Sequence, residues 1–305
     1  MKAVVVHQYG GPEVLHYEEA PDPVASPGEA LVRIAATSVN PVDLKRRSGE
    51  AKGRFPIDFP GIIGVDVAGT IVALGPDVDG FAVGDEVFAM AGQTYAELCV
   101  VNAAILARIP ADLDLVDAAA LPLVTLTGSQ LITVGTSIQA GQTVLVTGAV
   151  GGVGRSAVFT AKERGAIVIA GVRASQTNEA ETIGADQIIA LDDEAALAAL
   201  ASVDAVADAV GGKTAQTLLA KVKPGGVFAS VLGPPPGAAD YPGIKIVPVQ
   251  AKPDPNGLVA MAQAVIDGLL VIPITQKLPL AEAARAHAEP GKGGKTLLLA
   301  DSTID

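Results

Sequence analysis

Apolar and polar positions alternate in two different textures along the chain. Through about residue 110, Gly and Pro punctuate short β-prone runs at 3–6, 30–37, 67–74, 86–89 and 96–101. Many short strands separated by turn signals predict an all-β barrel or sandwich. One helix interrupts them at 40–49, NPVDLKRRSG, where Asn40 suits the cap, Pro41 the first position and Asp43 the electropositive first turn. Near residue 112 the texture changes, and 112–135, rich in Ala, Leu and Thr, reads as one or two helices. Beyond it, apolar runs near 143–147, 166–172, 187–191, 204–208, 226–232 and 244–249 alternate with helical segments, the signature of a parallel sheet covered on both faces.

After KPDPNG come a helix at about 257–268, a strand at 271–276, a short helix at about 280–288 and a strand at 295–299. The parallel sheet is complete without them, so they are expected to finish the first domain. The expected fold class is therefore α/β: a doubly wound parallel six-stranded sheet in 117–251, plus a mainly β domain formed by 1–116 and 252–305.

Composition narrows the functions. The 305 residues are half hydrophobic, with 3% aromatics and a formal charge of -12, and no basic block exceeds Lys45-Arg46-Arg47. Nucleic acid is an improbable partner for such a surface. The single cysteine, Cys99, excludes a disulfide framework and a four-cysteine zinc site. The N-terminus lacks a signal-peptide apolar region, and no run reaches the roughly 18 uninterrupted apolar residues of a membrane span. A cytoplasmic protein is expected.

The strongest chemical signal is VTGAVGGVG. Gly148, Gly151 and Gly154 stand three apart, with Gly152 as a fourth, between an apolar strand and a helix that starts near Gly152. In that context one glycine permits a tight turn, one lets backbone approach a diphosphate, and one lets the helix pack on the strand. The helix N-terminus adds free N–H groups and partial positive charge. A tight turn without a ligand is the bland alternative. The cofactor-side residues are thus Gly148, Ala149, Gly151, Gly152, Val153 and Gly154, with Gly211, Leu232 and Gly233 at later strand ends.

NAD-binding turns keep an acid about 20 residues further on, for the ribose hydroxyls. Here no Asp or Glu occurs between Glu163 and Glu179, and Arg173, followed by Ser175, stands at the end of the second strand. A guanidinium pairs with a 2′-phosphate that a carboxylate would repel, so NADPH is expected over NADH. By contrast GKGGKT, 291–296, is no phosphate loop. Glu289 stands where the first glycine is required, and the segment reads as a surface turn.

Taken together, NPVDLKRRSG, PGIIGVDVAGTIVALGPDVDGFAVGDEVFA (60–89), LPLVTLTGSQ (121–130), the glycine turn, DAVGG (208–212) and GGKTLLL (293–299) resemble the medium-chain dehydrogenases/reductases, specifically their zinc-free quinone oxidoreductase branch. The resemblance spans nearly the whole chain and implies a GroES-like catalytic domain beside a Rossmann domain. In zinc-dependent relatives a Cys takes the place of Asn40, Gly-His-Glu that of Gly64-Val65-Asp66, and another Cys lies near Leu121. Asp66 alone cannot hold zinc, so no metal is expected. Cys99 reads as an inert buried thiol, and His7, His16 and His287 as surface or core histidines.

What the resemblance implies is hydride transfer from NADPH to a small-molecule quinone or enone, with hydrogen-bond donors stabilising the developing oxyanion in place of a Lewis acid. It puts Asn40 and Thr125 beside the nicotinamide: Asn40 as an amide donor or merely a helix cap, Thr125 as a positioner of the cofactor. An enoyl-thioester reductase and a non-catalytic dinucleotide-binding or stress-related protein are the alternatives. The apolar edge at 244–249 calls for cover, so a homodimer is expected.

Overall fold

The computed structural model describes residues 1–291 and 293–300. The chain divides into two compact units. The first holds Met1–Leu123, Pro253–Ile266 and the described residues from Ile272 onward; the second holds Val124–Lys252 and Asp267–Val271.

The first unit is mostly β. In chain order it contains β1 (Lys2–Val6), β2 (Leu15–Glu19), β3 (Glu29–Ser38), helix α1 (Pro41–Ser48), β4 (Gly61–Ile62), β5 (Asp66–Leu74), β6 (Glu86–Met90), β7 (Leu98–Asn102) and β8 (Ala107–Arg108). Strands β2, β1 and β4 form a small antiparallel sheet. The larger sheet centres on β3, which pairs antiparallel with both β5 and β7. Its inward side chains, among them Val32, Ile34, Val67, Ile71 and Val87, make the core. Strands β2, β4 and β8 had no alternating apolar signal. LHYEE in β2 buries little beyond Leu15, and the other two are only two residues long.

A helical stretch links the units in sequence. The one or two helices expected over 112–135 take the form of a 3₁₀ turn (Asp117–Ala120), α2 (Pro122–Gln130) and a π-type turn (Leu131–Thr136). Pro122 lacks the N–H needed to continue the preceding turn, so helix restarts there. Asp117–Thr136 is long and apolar enough to cross a membrane by length and composition, yet 72% of its apolar 18-residue window is buried inside the protein.

The second unit carries β9 (Thr143–Thr147), α3 (Gly152–Glu163), β10 (Ile167–Val172), α4 (Thr177–Ala180), β11 (Gln187–Ala190), α5 (Glu194–Ala199), β12 (Val203–Asp208), α6 (Gly212–Leu219), β13 (Val222–Ser230) and β14 (Lys245–Pro248). The strands form one parallel sheet in the order β11-β10-β9-β12-β13-β14. This is the doubly wound Rossmann arrangement, with its reversal of strand order between β9 and β12. Val144 and Val146 face one apolar cluster with Ala157 and Ala161 of α3, while Leu145 faces another with Leu218 and Phe228. Burial on both faces is why the strand reads as continuous apolar sequence.

The chain then returns to the first unit with α7 (Pro255–Ile266), β15 (Ile274–Pro279), α8 (Ala283–Ala288) and β16 (Lys295–Leu299). The strand expected at 271–276 begins three residues later, because Pro273 has no N–H to donate. Strand β16 pairs parallel with β15 and antiparallel with β3, extending the large sheet.

Candidate functional site

The glycine turn follows β9 at the switch point of the parallel sheet. Gly148 has φ +62°, in the left-handed region that costs glycine nothing. Gly154 sits against it: a Cβ there would stand 2.1 Å from the Gly148 carbonyl oxygen and 2.6 Å from Ala149 Cα. A Cβ on Gly151 would meet nothing nearer than 3.4 Å, so its outer side is open. Gly151 is the N-cap of α3 and offers no side chain, which leaves the first-turn N–H groups uncapped by any side chain. These are the features a diphosphate cradle needs: backbone donors, partial positive charge and no Cβ in the way. The turn is also braced. Arg155 donates from Nε to the Val150 oxygen at 2.8 Å and from Nη2 to Glu179 at 2.8 Å. Its role was hidden in the sequence, where it reads as one more helix-surface cation.

Neighbouring strand ends are tied together by Asp208, which is wholly buried at the end of β12. Its carboxylate accepts from Thr147 Oγ1 at 2.8 Å, Ser230 Oγ at 2.7 Å, and the amides of Val210 and Gly211. Ser230 Oγ in turn accepts from the Leu232 amide at 3.1 Å. One carboxylate thus organises the loops after β9, β12 and β13, and brings the expected cofactor-side residues Gly148, Gly211 and Leu232 to one rim. Val210 Cγ2 lies 3.1 Å from a Cβ placed on Gly148, and Leu232 Cδ1 lies 2.6 Å from one placed on Gly211. Gly211 and Gly233 both have positive φ, +74° and +93°.

Arg173 and Ser175 lie in the exposed turn after β10. The Arg173 guanidinium has no protein partner among the described residues, and its backbone amide donates to Gln176. The turn is held by Asp192, whose carboxylate accepts from the Ala174 amide at 2.7 Å. That acid comes from beyond β11 and was missed by looking only along the second strand.

In the first unit, Asn40 joins a buried polar cluster. Asn40, Ser38, Asp43 and Asp66 are all at most 1% exposed, and Lys295 is 7% exposed. Asn40 Nδ2 donates to Asp66 Oδ2 at 2.7 Å and, with longer contacts, to Ser38 Oγ at 3.2 Å and Ser38 O at 3.4 Å. Asn40 Oδ1 accepts from Lys295 Nζ at 2.6 Å, and the same ammonium is 3.5 Å from Asp66 Oδ2. Ser38 Oγ also donates to Asp66 Oδ2 in a very short contact. Asp66 Oδ1 accepts from the Leu123 amide at 2.7 Å.

Two expectations change here. Asn40 is the N-cap of α1, in a capping box with Asp43, but it is more than a cap: its side chain also bonds to Lys295, Asp66 and Ser38. Asp43 supplies the reciprocal bond of that box, accepting from the Asn40 amide at 3.0 Å. The segment 291–296 is not wholly a surface turn either: Lys295 points inward. Its position follows from register, since the antiparallel pairing of Leu297 with Ser38 carries Lys295 opposite Asn40.

Burial gives the cluster unusual titration. Asp43 is pushed up from 3.8 to about 7 by desolvation and then by the Asp66 charge. Desolvation draws Lys295 below its ordinary value, opposed by Asp66 and Asp43. Beside them Tyr95 Oη and His287 Nε2 are 3.0 Å apart, and burial pulls His287 down to about 3.

Thr125 is fully buried in α2. Cys99 is buried too, and desolvation raises its thiol to about 12, which leaves it un-ionised at neutral pH. Lys45 pairs with Glu50 at 3.2 Å on the surface. Among the described residues no group of three or more His, Cys, Asp or Glu side chains has metal-ligand placement.

Comparison with known proteins places the chain in a family. The alcohol dehydrogenase GroES-like domain matches residues 26–111, and the zinc-binding dehydrogenase domain matches 183–296. A chloroplast envelope quinone oxidoreductase homolog of Arabidopsis thaliana is 30% identical over 97% of this chain and 96% of its own length. An NADPH-dependent alkenal/one oxidoreductase from the same plant is 32% identical over 81% of this chain and 65% of its own length. A mycobacterial protein solved in complex with NADPH superposes with a TM-score of 0.85 at 28% identity, covering 98% of this chain and all of the other.

Proposed function

Since the chain belongs to the medium-chain dehydrogenase/reductase superfamily, among the quinone oxidoreductases, we propose that it is an NADPH-dependent reductase of a quinone or an α,β-unsaturated carbonyl. The observation that carries this reading is the glycine turn, where Gly148, Gly151 and Gly154 leave the start of α3 open to a diphosphate. Bound there, NADPH would supply the hydride.

The chain's own residues take the remaining tasks. Backbone donors at Gly152, Val153 and Gly154, beside Ala149 and Gly151, hold the diphosphate. Arg173 and Ser175 receive the 2′-phosphate, a role supported by the unpartnered guanidinium and the absence of an acid on the β10 end. Gly211, Leu232 and Gly233 line the same rim of strand ends. Thr125 orients the cofactor. Asn40 is the donor to the substrate oxygen: one Nδ2 hydrogen is held by Asp66, while the other makes only the long contacts to Ser38 and can be given up. That donor stabilises the negative charge that appears when carbon takes hydride, and a proton from solvent completes the reduction.

Independence from zinc is part of the proposal. Where the resemblance places a thiolate and an imidazole in zinc-dependent relatives, this chain has Asn40 and Val65, and the neighbouring Asp66 carboxylate is already bonded to an ammonium, a hydroxyl and a backbone N–H. A homodimer is also proposed, from the β14 edge, which pairs only with β13 among the described residues. Sedimentation of the purified protein tests it.

The activity test is NADPH oxidation with a panel of quinones, alkenones and enoyl thioesters. Turnover of quinones or alkenones supports the proposal, and preference for the thioesters redirects it to a carrier-linked reductase. Tight NADPH binding without turnover of any of them contradicts an enzymatic role.

A further inference from the structure

We infer that Lys295 is a positioning residue: its buried ammonium fixes the Asn40 side chain so that the amide nitrogen, not the oxygen, is presented as the donor. The inference rests on the proposed function for its catalytic meaning, but its structural content stands alone.

An asparagine amide has a donor end and an acceptor end of nearly the same shape, so its orientation is decided by its partners. Here both partners are unambiguous. An ammonium has no acceptor, and it lies 2.6 Å from the end assigned as Oδ1. A carboxylate has no donor, and it lies 2.7 Å from the end assigned as Nδ2. Reversing the amide would set N–H against N–H at Lys295 and oxygen against oxygen at Asp66. The two charges oppose each other across the amide, 3.5 Å apart, which keeps each tolerable in a site that water barely reaches. Asp66 is itself anchored by the Leu123 amide and Ser38 Oγ, and Lys295 also reaches the Val39 carbonyl at 3.4 Å. Asp66, Leu123 and Lys295 come from three segments distant in sequence from Asn40, so the orientation is imposed by the fold.

The approach of Lys295 is built by backbone. Gly293 has φ +76°, and a Cβ on Gly294 would stand 2.6 Å from the Pro273 oxygen, the same oxygen that accepts from the Lys295 amide at 2.7 Å. The paired glycines therefore let the chain turn tightly enough to enter β16 with the lysine facing Asn40.

The test compares wild type with Lys295→Met and Lys295→Arg. Methionine keeps the apolar stem and removes donor and charge; arginine keeps a cation and N–H donors. The chain has four asparagines, so selective ¹⁵N-asparagine labelling gives a side-chain amide spectrum simple enough to assign Asn40 by its loss in Asn40→Ala. The expected wild-type Asn40 amide is slow to exchange, and Lys295→Met makes it exchange faster by at least about 10-fold. With a substrate identified, kcat falls by about 10-fold to 100-fold while the Kd for NADPH stays within about twofold. Lys295→Arg recovers part of both the amide protection and kcat. If Lys295→Met does not fold, Lys295→Arg carries the decision: displaced, fast-exchanging Asn40 protons without any loss of kcat overturn the inference. An Asn40 amide unchanged in Lys295→Met overturns it outright. Absence of turnover by wild type would refute the proposed function and leave the amide comparison to decide on Lys295.

Discussion

The turn after β9 and the cluster around Asn40 are built by opposite means. The turn uses backbone almost alone: N–H groups, a left-handed glycine and the absence of Cβ atoms at Gly148, Gly151 and Gly154. The cluster uses side chains almost alone, and all of them are buried with specific partners. The difference teaches where each is vulnerable. The turn fails when a side chain is added at Gly154, where a Cβ would meet backbone; the cluster fails when something is removed, because a buried charge then loses its counterpart.

The sharpest way to break the comparison is to add a side chain to the turn. Gly154→Val forces Cβ onto the Gly148 oxygen, and NADPH affinity is expected to drop by at least about 100-fold. Overpacking also costs the fold about 1–3 kcal/mol, read from the urea midpoint. Normal affinity in this variant would mean the turn does not hold the cofactor. A smaller effect is expected from Arg173→Ala. Since its guanidinium has no partner to release among the described residues, stability should be unchanged, while Kd for NADPH rises about 10-fold and Kd for NADH barely moves. Parallel losses for both cofactors would remove the 2′-phosphate assignment.

The smallest effect tests the cluster's charge balance. Asp43 is at about 7 in the folded protein, above its unfolded 3.8. Its stabilising contribution is therefore complete below pH 3.8 and is lost as pH rises through about 7. His287 works the other way: held at about 3 instead of 6.5, it favours the fold above pH 6.5 and loses that contribution as pH falls toward 3. Asp43→Asn keeps an acceptor for the Asn40 amide. It should raise stability over wild type by about 1 kcal/mol at pH 8, with a smaller difference at pH 5, measured by urea unfolding. An equal difference at both pH values would show that Asp43 does not titrate in this range.

The same contrast explains what could be read from sequence. The turn is local: nine consecutive residues, an apolar strand before and a helix after, so its glycines and the start of α3 at Gly152 were legible. The six-strand sheet was legible because strands buried on both faces stay apolar throughout, as β9 and β10 do. The cluster is not local. Lys295 meets Asn40 only through the pairing of β16 with β3, and in sequence it sat in a glycine-rich stretch that resembled a surface turn. Asp208, Arg155 and Asp192 were hidden for the same reason: each is an ordinary charged residue until folding delivers its partners. Asn40 drew notice as a helix cap, which it is, but its bonds to Lys295 and Asp66 come from distant segments that no local pattern could show.

The most direct measurement is a crystal structure of the protein with NADPH. The diphosphate is expected within hydrogen-bonding distance of the N–H groups at the start of α3, with the 2′-phosphate against Arg173. Density for the diphosphate elsewhere, or a turn that closes over Gly151 and excludes it, would contradict the account.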